Sequence, residues 1–192
     1  SPTPAFPATV PASPTAEPLS GVALVEALRR GGYVIYFRHA RTDYSTPESQ
    51  QGPEWWKSCD PTVVRNLSDE GRAQARAISE AFRKLQIPVG QVLSSEFCRC
   101  LETARLAFGD AQTTPDLSSF ATTDEAGREQ RVMALRRLLS TPPPAGTNSV
   151  LVGHLFNIQA AAGVSLPEGG AAIFEPLGDA GFRLLAVVPA EE

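Results

Sequence analysis

Two apolar runs each end in a histidine: Tyr33-Val34-Ile35-Tyr36-Phe37-Arg38-His39 and Ser149-Val150-Leu151-Val152-Gly153-His154. The chain has no other histidine. A continuous apolar run suits a strand covered on both faces, which in α/β proteins is a parallel strand. Strands of that kind deliver side chains to their carboxyl ends, where open sheets place their ligands. Two runs of one design therefore demand a sheet whose strand ends gather ionisable groups, with Arg38 beside the first histidine.

Helical and strand patterns alternate through the rest of the chain. Ser20 can cap a helix over 22–30, with Val22, Leu24, Val25 and Leu28 on one face and Gly31-Gly32 as its stop. Residues 42–66 hold no sustained period and contain Pro47, Gly52, Pro53 and Pro61, so they read as a long excursion from the first strand. Excursions of that length in a compact domain are usually functional. Ser68 then opens a helix to about Gln86, with Asp69 and Glu70 in its first turn. Residues 92–94 read as a short strand, Ser95 as the cap of a helix that carries Arg99 and stops at Gly109, and 112–117 as an extended piece. A helix over 124–139 has Val132, Leu135, Leu138 and Leu139 in step. After the second histidine strand come a short helix over 156–162 and a hairpin of 171–174 with 182–188. The expectation is an α/β fold: a three-layer α/β/α sandwich with a mostly parallel central sheet and a C-terminal hairpin.

Length allows one domain with a sizeable core: 192 residues. Residues 1–20 hold six prolines among Ala, Ser and Thr, which cannot build a core, so they read as a Pro/Ala/Thr-rich tail and residues 21–192 as the domain. Such tails often follow a removed secretion signal, which points to export to the periplasm or outside; a cytoplasmic linker is the alternative. A net charge of −4 with no Lys/Arg cluster argues against a nucleic-acid partner. No apolar stretch approaches the roughly 20 residues of a membrane span. Of the three cysteines, Cys98 and Cys100 are two apart on an expected helix and do not face one another, which leaves Cys59 as a disulfide partner, first of all for Cys98. Three reduced thiols are the alternative. The spacing is not that of a zinc site, and no metal or other cofactor is expected.

Arg38-His39 puts a guanidinium and an imidazole at one strand end, and Arg99 lies near a helix amino terminus, where free N–H groups and the helix dipole favour an anion. Arginine can donate two parallel hydrogen bonds to phosphoryl oxygens and stays charged at any working pH. A neutral histidine can attack phosphorus and split hydrolysis into two easier steps. The second histidine would then stabilise the charge on the group in transfer. No nucleophile elbow, metal-binding histidine cluster or phosphate-binding loop competes for the role.

Arg38-His39-Ala40, then Asn66-Leu67-Ser68 with Gly71 and Gln74-Ala75, then Ser94 with Arg99 and Thr103-Ala104, and last Gly153-His154 resemble the histidine phosphatase superfamily, in its phosphoglycerate-mutase-like branch 1. The order and spacing run from Tyr33 to about Val188. The resemblance implies that His39 accepts the phosphoryl group, that Arg38 and Arg99 clamp it, and that His154 completes the pocket. The substrate would be a small phosphorylated molecule or a phosphoprotein. Ala40 stands where many relatives have Gly, and the segment after Arg99 has no plain match to the glutamate that donates a proton in the family's mutases.

The general acid is thus open among Asp43, Asp124, Glu125 and Glu168. Arg65 and Asn66, just before the Ser68 helix, are candidate substrate contacts, although Asn66 also suits a turn or a cap. Trp55 and Trp56 suit either an apolar lid or a small satellite core. The leading expectation is a metal-independent phosphatase acting on phosphate monoesters or phosphohistidine. A mutase-like phosphotransferase and a non-catalytic phosphate-binding module are the alternatives.

Overall fold

The computed structural model describes residues 18–190. Residues 1–17, most of the expected tail, lie outside that range. In chain order the elements are α1 (Gly21–Arg30), β1 (Val34–Arg38), α2 (Asp69–Leu85), β2 (Val89–Ser94), α3 (Cys98–Phe108), β3 (Gln112–Thr113), α4 (Glu125–Ser140), β4 (Asn148–Gly153), α5 (Leu155–Ala162), β5 (Ala171–Pro176) and β6 (Phe182–Val188). One sheet holds all six strands in the order β3-β2-β4-β1-β5-β6.

The sheet is mixed. β1 with β4, β2 with β4 and β2 with β3 pair in parallel, while β5 runs antiparallel to both β1 and β6. The expected hairpin is present, but its first strand lies directly against β1, so the antiparallel part reaches the centre of the sheet.

Alternation along the strands builds the three layers. In β1, Ile35 and Phe37 point into one core with Leu28, Cys100, Ala104, Val150 and Val152. Val34 and Tyr36 point into another with Leu135, Leu139, Ile158 and Phe174. Both faces of β1 are thus apolar, which is why its sequence reads as an unbroken run.

Local chemistry fixes the helix ends near the site. Ser68 Oγ accepts the Gly71 N–H at 3.1 Å and caps α2. At Gly71 a Cβ would run into the Arg41 carbonyl, so glycine lets the helix approach the chain that follows His39. Two expected caps differ. Ser20 occupies the cap position of α1 but its side chain makes no capping bond. Ser95 does not cap α3, which begins three residues later with Phe97 at its cap position, because the Ser95 hydroxyl is drawn to His154.

The 42–66 excursion is well tied down. Ser49 N–H donates to the Val63 carbonyl at 2.8 Å, and Thr42 bridges to Leu67. Trp55 is buried in the first core with its ring edge-on to Phe97 at 5.7 Å, so the tryptophans form packing beneath the loop rather than a lid. Cys59 and Cys98 are joined by a disulfide with Cα atoms 5.4 Å apart, and Cys100 is a buried free thiol.

The bond links positions 39 residues apart, for which chain-entropy reasoning gives about 4 kcal/mol of stabilisation. Urea unfolding should show a loss of about 2–4 kcal/mol on reduction, and Cys59→Ser should lose as much without reductant. Unchanged unfolding midpoints in both would show that the bond contributes nothing.

Candidate active site

Strand register brings the two histidines together. Arg38 stands opposite Gly153 in the parallel β1–β4 ladder, and the His39 N–H donates to the Gly153 carbonyl at 3.0 Å. His39 and His154 therefore leave the sheet at the same end, with ring centroids 5.8 Å apart. Glycine at 153 is required, since a Cβ there would strike the Tyr36 hydroxyl, which donates to the His154 carbonyl at 2.8 Å.

Each imidazole has one nitrogen occupied. His39 Nδ1 lies 2.9 Å from the carbonyl of Ala40, so Nδ1 carries the proton and the Nε2 lone pair is left for chemistry. The Ala40 N–H is in turn held by Thr103 Oγ1 at 3.0 Å, and the Thr103 hydroxyl donates to the Arg99 carbonyl at 2.7 Å. His154 Nε2 lies 2.8 Å from Ser95 Oγ. With that hydroxyl donating, His154 carries its proton on Nδ1 and can donate a hydrogen bond while neutral. The Cys100 Sγ sits 3.6 Å from the same Nε2, and burial pushes this thiol up to about 12, which keeps it uncharged.

Three guanidiniums surround the histidines. Arg99, on the first turn of α3, is 5% exposed and lies over the Phe97 ring at 4.5 Å. Arg38 donates from Nη1 to the Leu166 carbonyl at 2.9 Å, and Arg65 stacks on the Tyr44 ring at 4.2 Å. In all three the Nε is buried without a hydrogen-bond partner among the described residues. Buried donors are normally satisfied, and three left over on cationic groups whose charge acts on His39 suit an anionic ligand.

The arginine charge acts on both imidazoles. Burial, then the Arg99 guanidinium, holds His39 well below the ordinary histidine range. His154 is lowered in the same way, by burial first and then Arg99 and His39. Both are neutral near pH 7, which leaves His39 nucleophilic.

Of the remaining sequence candidates, Glu168 lies beside His39 and the others make local contacts of their own. Asp43 is exposed and accepts both the Ser45 hydroxyl and N–H, which hold its carboxyl below the usual range and so in the ionised form. Asp124 caps α4 through the Gly127 N–H at 2.9 Å, and Glu125 is exposed on the first turn of that helix. Glu168 accepts hydroxyls from Thr42 at 2.7 Å and Tyr44 at 3.1 Å, and lies 3.7 Å from His39 Nδ1. It is therefore on the edge of the ring opposite Nε2. Asn66 donates to the Cys59 carbonyl at 2.7 Å and shapes the excursion.

Several site residues carry no sequence signal of their own. Ser95 orients His154, Tyr44 joins Arg65 to Glu168, and Glu48 forms an ion pair with Arg99. Arg131 fastens the 118–122 turn through the Ser119 carbonyl at 2.6 Å and Thr122 Oγ1 at 2.7 Å, and its charge helps to lower His154. Only the strand-end position of Ser95 hinted at a role.

The imidazoles make stability depend on pH. Below about pH 6.5 the unfolded chain takes up two protons that native His39 and His154 refuse, so unfolding becomes easier as pH falls, by up to about 2.7 kcal/mol per unit. Urea midpoints at pH 8, 6.5 and 5 should fall slightly over the upper interval and steeply over the lower. Saturating phosphate should reduce the fall, since a bound anion lets His154 protonate in the native state.

The family model of the histidine phosphatase superfamily (branch 1) matches residues 34–132, which hold Arg38, His39, Arg99 and the excursion. No curated protein matches the chain by sequence. Among solved structures, SixA from Agrobacterium tumefaciens is 18% identical with a TM-score of 0.55, over 82% of this chain and 97% of that one. The protein histidine phosphatase SixA complexed with tungstate is 14% identical, TM-score 0.54, over 82% and 97%. Mycobacterial glucosyl-3-phosphoglycerate phosphatase with inorganic phosphate is 15% identical, TM-score 0.58, over 84% and 100%. At such identities the likeness is one of fold, and it extends past the matched segment to the strand that carries His154. From the matched segment and the residues it contains, the chain belongs to the histidine phosphatase superfamily, branch 1.

Proposed function

We propose that the protein is a metal-independent phosphatase that hydrolyses phosphate monoesters or phosphohistidine through a covalent phosphohistidine on His39. The observation that carries this reading is the pairing of a neutral, buried His39, with Nε2 left for attack, and three guanidiniums with unsatisfied donors. Relatives of the same fold include enzymes described with tungstate and with inorganic phosphate, both tetrahedral oxyanions. Among the described residues, no group of three or more His, Cys, Asp or Glu could hold a metal ion.

The reaction follows from the groups in place. Arg38, Arg65 and Arg99 hold the phosphoryl oxygens and offset their charge, and His154 donates to one of them through Nδ1. The Nε2 lone pair of His39 attacks phosphorus, and the bond to the leaving group breaks on the opposite side. The proton on Nδ1 stays with the Ala40 carbonyl, so charge that develops on the imidazole meets an acceptor already aligned. Water then attacks the phosphohistidine and frees phosphate.

In the same reading residues 21–192 form the catalytic domain behind a tail at 1–20. The Cys59–Cys98 bond supports an oxidising, exported setting, periplasmic or extracellular. No helix among the described residues is long and apolar enough to cross a membrane.

Para-nitrophenyl phosphate should be turned over in EDTA by the wild type and not by His39→Ala, and acid-quenched protein should carry acid-labile phosphate on one histidine. Transfer between phosphorylated sugars or glycerates with little phosphate release would favour a mutase instead. Arg99→Ala should weaken phosphate binding by about 2–5 kcal/mol in calorimetry, with the fold checked by circular dichroism. Wild-type affinity in that variant would remove Arg99 from the clamp.

A further inference from the structure

The disulfide closes a ring of contacts that runs through the phosphate clamp. Cys98 is the first residue of α3 and the neighbour of Arg99, and it is bonded to Cys59 in the excursion. The Cys59 carbonyl accepts the Asn66 side-chain N–H at 2.7 Å, and Asn66 is the neighbour of Arg65. The Arg65 carbonyl in turn accepts Arg99 Nη1 at 3.3 Å, which closes the ring. Two clamp arginines from segments remote in sequence are thus held together through one sulfur bridge and two hydrogen bonds.

The bridge is open to attack. Cys59 is exposed and Cys98 half-buried, so a thiol in solution reaches the Cys59 sulfur, and exposed disulfides are the labile ones. The sulfur that departs lies at the amino terminus of α3, where free N–H groups and the helix dipole accommodate a thiolate. Cys100 takes no part in the exchange, since it is buried and its thiol is pushed up to about 12. Opening the bridge does not release the whole excursion. Val64 stays in the first core, Trp55 on Phe97, and Trp56 Nε1 on Glu96 at 3.2 Å. It releases the Cys59–Asn66 contact from α3, and with it the restraint that sets Arg65 against Arg99.

We propose that the Cys59–Cys98 bond is a redox latch on the phosphate clamp, an inference that rests on the phosphatase reading above. A dithiol supplies the two electrons. One of its thiolates attacks Cys59 Sγ, the S–S bond breaks, and the electron pair leaves on Cys98 Sγ, which takes up a proton. The second thiolate of the reductant then attacks its own sulfur in the mixed disulfide, Cys59 departs and is protonated, and the reductant is left as a disulfide. Closed, the latch presents Arg65 and Arg99 already arranged for one anion. Open, it leaves that arrangement to be paid for on binding, and phosphate binds more weakly. The enzyme thus reaches full affinity in an oxidising setting, and a reducing one holds it back.

Linkage separates a latch from a staple that only adds stability. If the closed bond tightens phosphate binding, bound phosphate protects the bond by the same factor. Inorganic phosphate is titrated by calorimetry into oxidised and dithiothreitol-reduced protein, with the fold checked by circular dichroism, and the redox midpoint is measured in dithiothreitol buffers with and without saturating phosphate. Reduction should weaken phosphate binding about tenfold with the number of sites unchanged. Phosphate should then move the midpoint about 30 mV more negative, the equivalent of tenfold for a two-electron couple. Asn66→Ala keeps the bond but cuts the contact behind it, so its oxidised form should bind phosphate near the reduced wild-type affinity and respond little to reduction. Fewer sites at unchanged affinity on reduction would overturn the proposal, as would a midpoint indifferent to phosphate or an Asn66→Ala protein with the full redox response. An oxidised wild type that binds no phosphate would instead remove the phosphatase reading itself, and the latch with it.

Discussion

The parallel pairing of β1 with β4 is the constraint from which the pocket follows. One register, Arg38 against Gly153, sets the His39 N–H on the Gly153 carbonyl and sends both histidines out at the same end of the sheet. β2 lies on the other side of β4 with Ser94 opposite Val152, which brings Ser95 to His154 and starts the path to Arg99. A slip of one residue in this ladder would turn Arg38 and both core faces of β1 the wrong way. The apolar burial on those two faces is what opposes such a slip, so the energetics of the core and the geometry of the site are one specification.

The pocket is built at an electrostatic cost that the rest of the fold carries. Three guanidiniums and two imidazoles lie together; both imidazoles stay neutral near pH 7, and each guanidinium is fixed, Arg38 by the Leu166 carbonyl, Arg65 by the Tyr44 ring, and Arg99 by Glu48, the Arg65 carbonyl and the Phe97 ring. Their Nε donors are left buried without a partner among the described residues, and in the proposed phosphatase reading a tetrahedral oxyanion would satisfy them. Preorganisation of this kind stabilises a charged transition state without rearrangement during the reaction.

Two carboxylates lie against these residues, Glu168 beside His39 and Glu48 on Arg99. Glu168 comes from the loop before β5, which is fastened to the end of β1 by the Gly169 N–H on the His39 carbonyl at 2.8 Å, and it faces the Nδ1 edge. Glu48 comes from the excursion and faces the Arg99 edge. The disulfide and the tryptophan packing tie the excursion to α3 and to the first core.

By itself the sequence determined the elements that repeat a period or end in chemistry: the two histidine strands, the amphipathic helices, the C-terminal strand pair and the family, and it singled out Arg38, His39, Arg99 and His154, which the fold brings close together. Those follow from local rules, since burial on both faces writes an apolar run and an anion clamp writes arginine beside a strand or helix end. Tertiary structure alone decided that β5 lies against β1, because a short apolar strand carries no mark of the neighbour it pairs with. It also decided that Ser95 serves His154 instead of capping α3, and that Asp124 caps a helix while Glu48 reaches the clamp. A carboxylate in an aperiodic loop looks the same in sequence whether it meets water or a buried arginine; only the packing of that loop, tied to α3 through Cys59 and Cys98, gives it a partner.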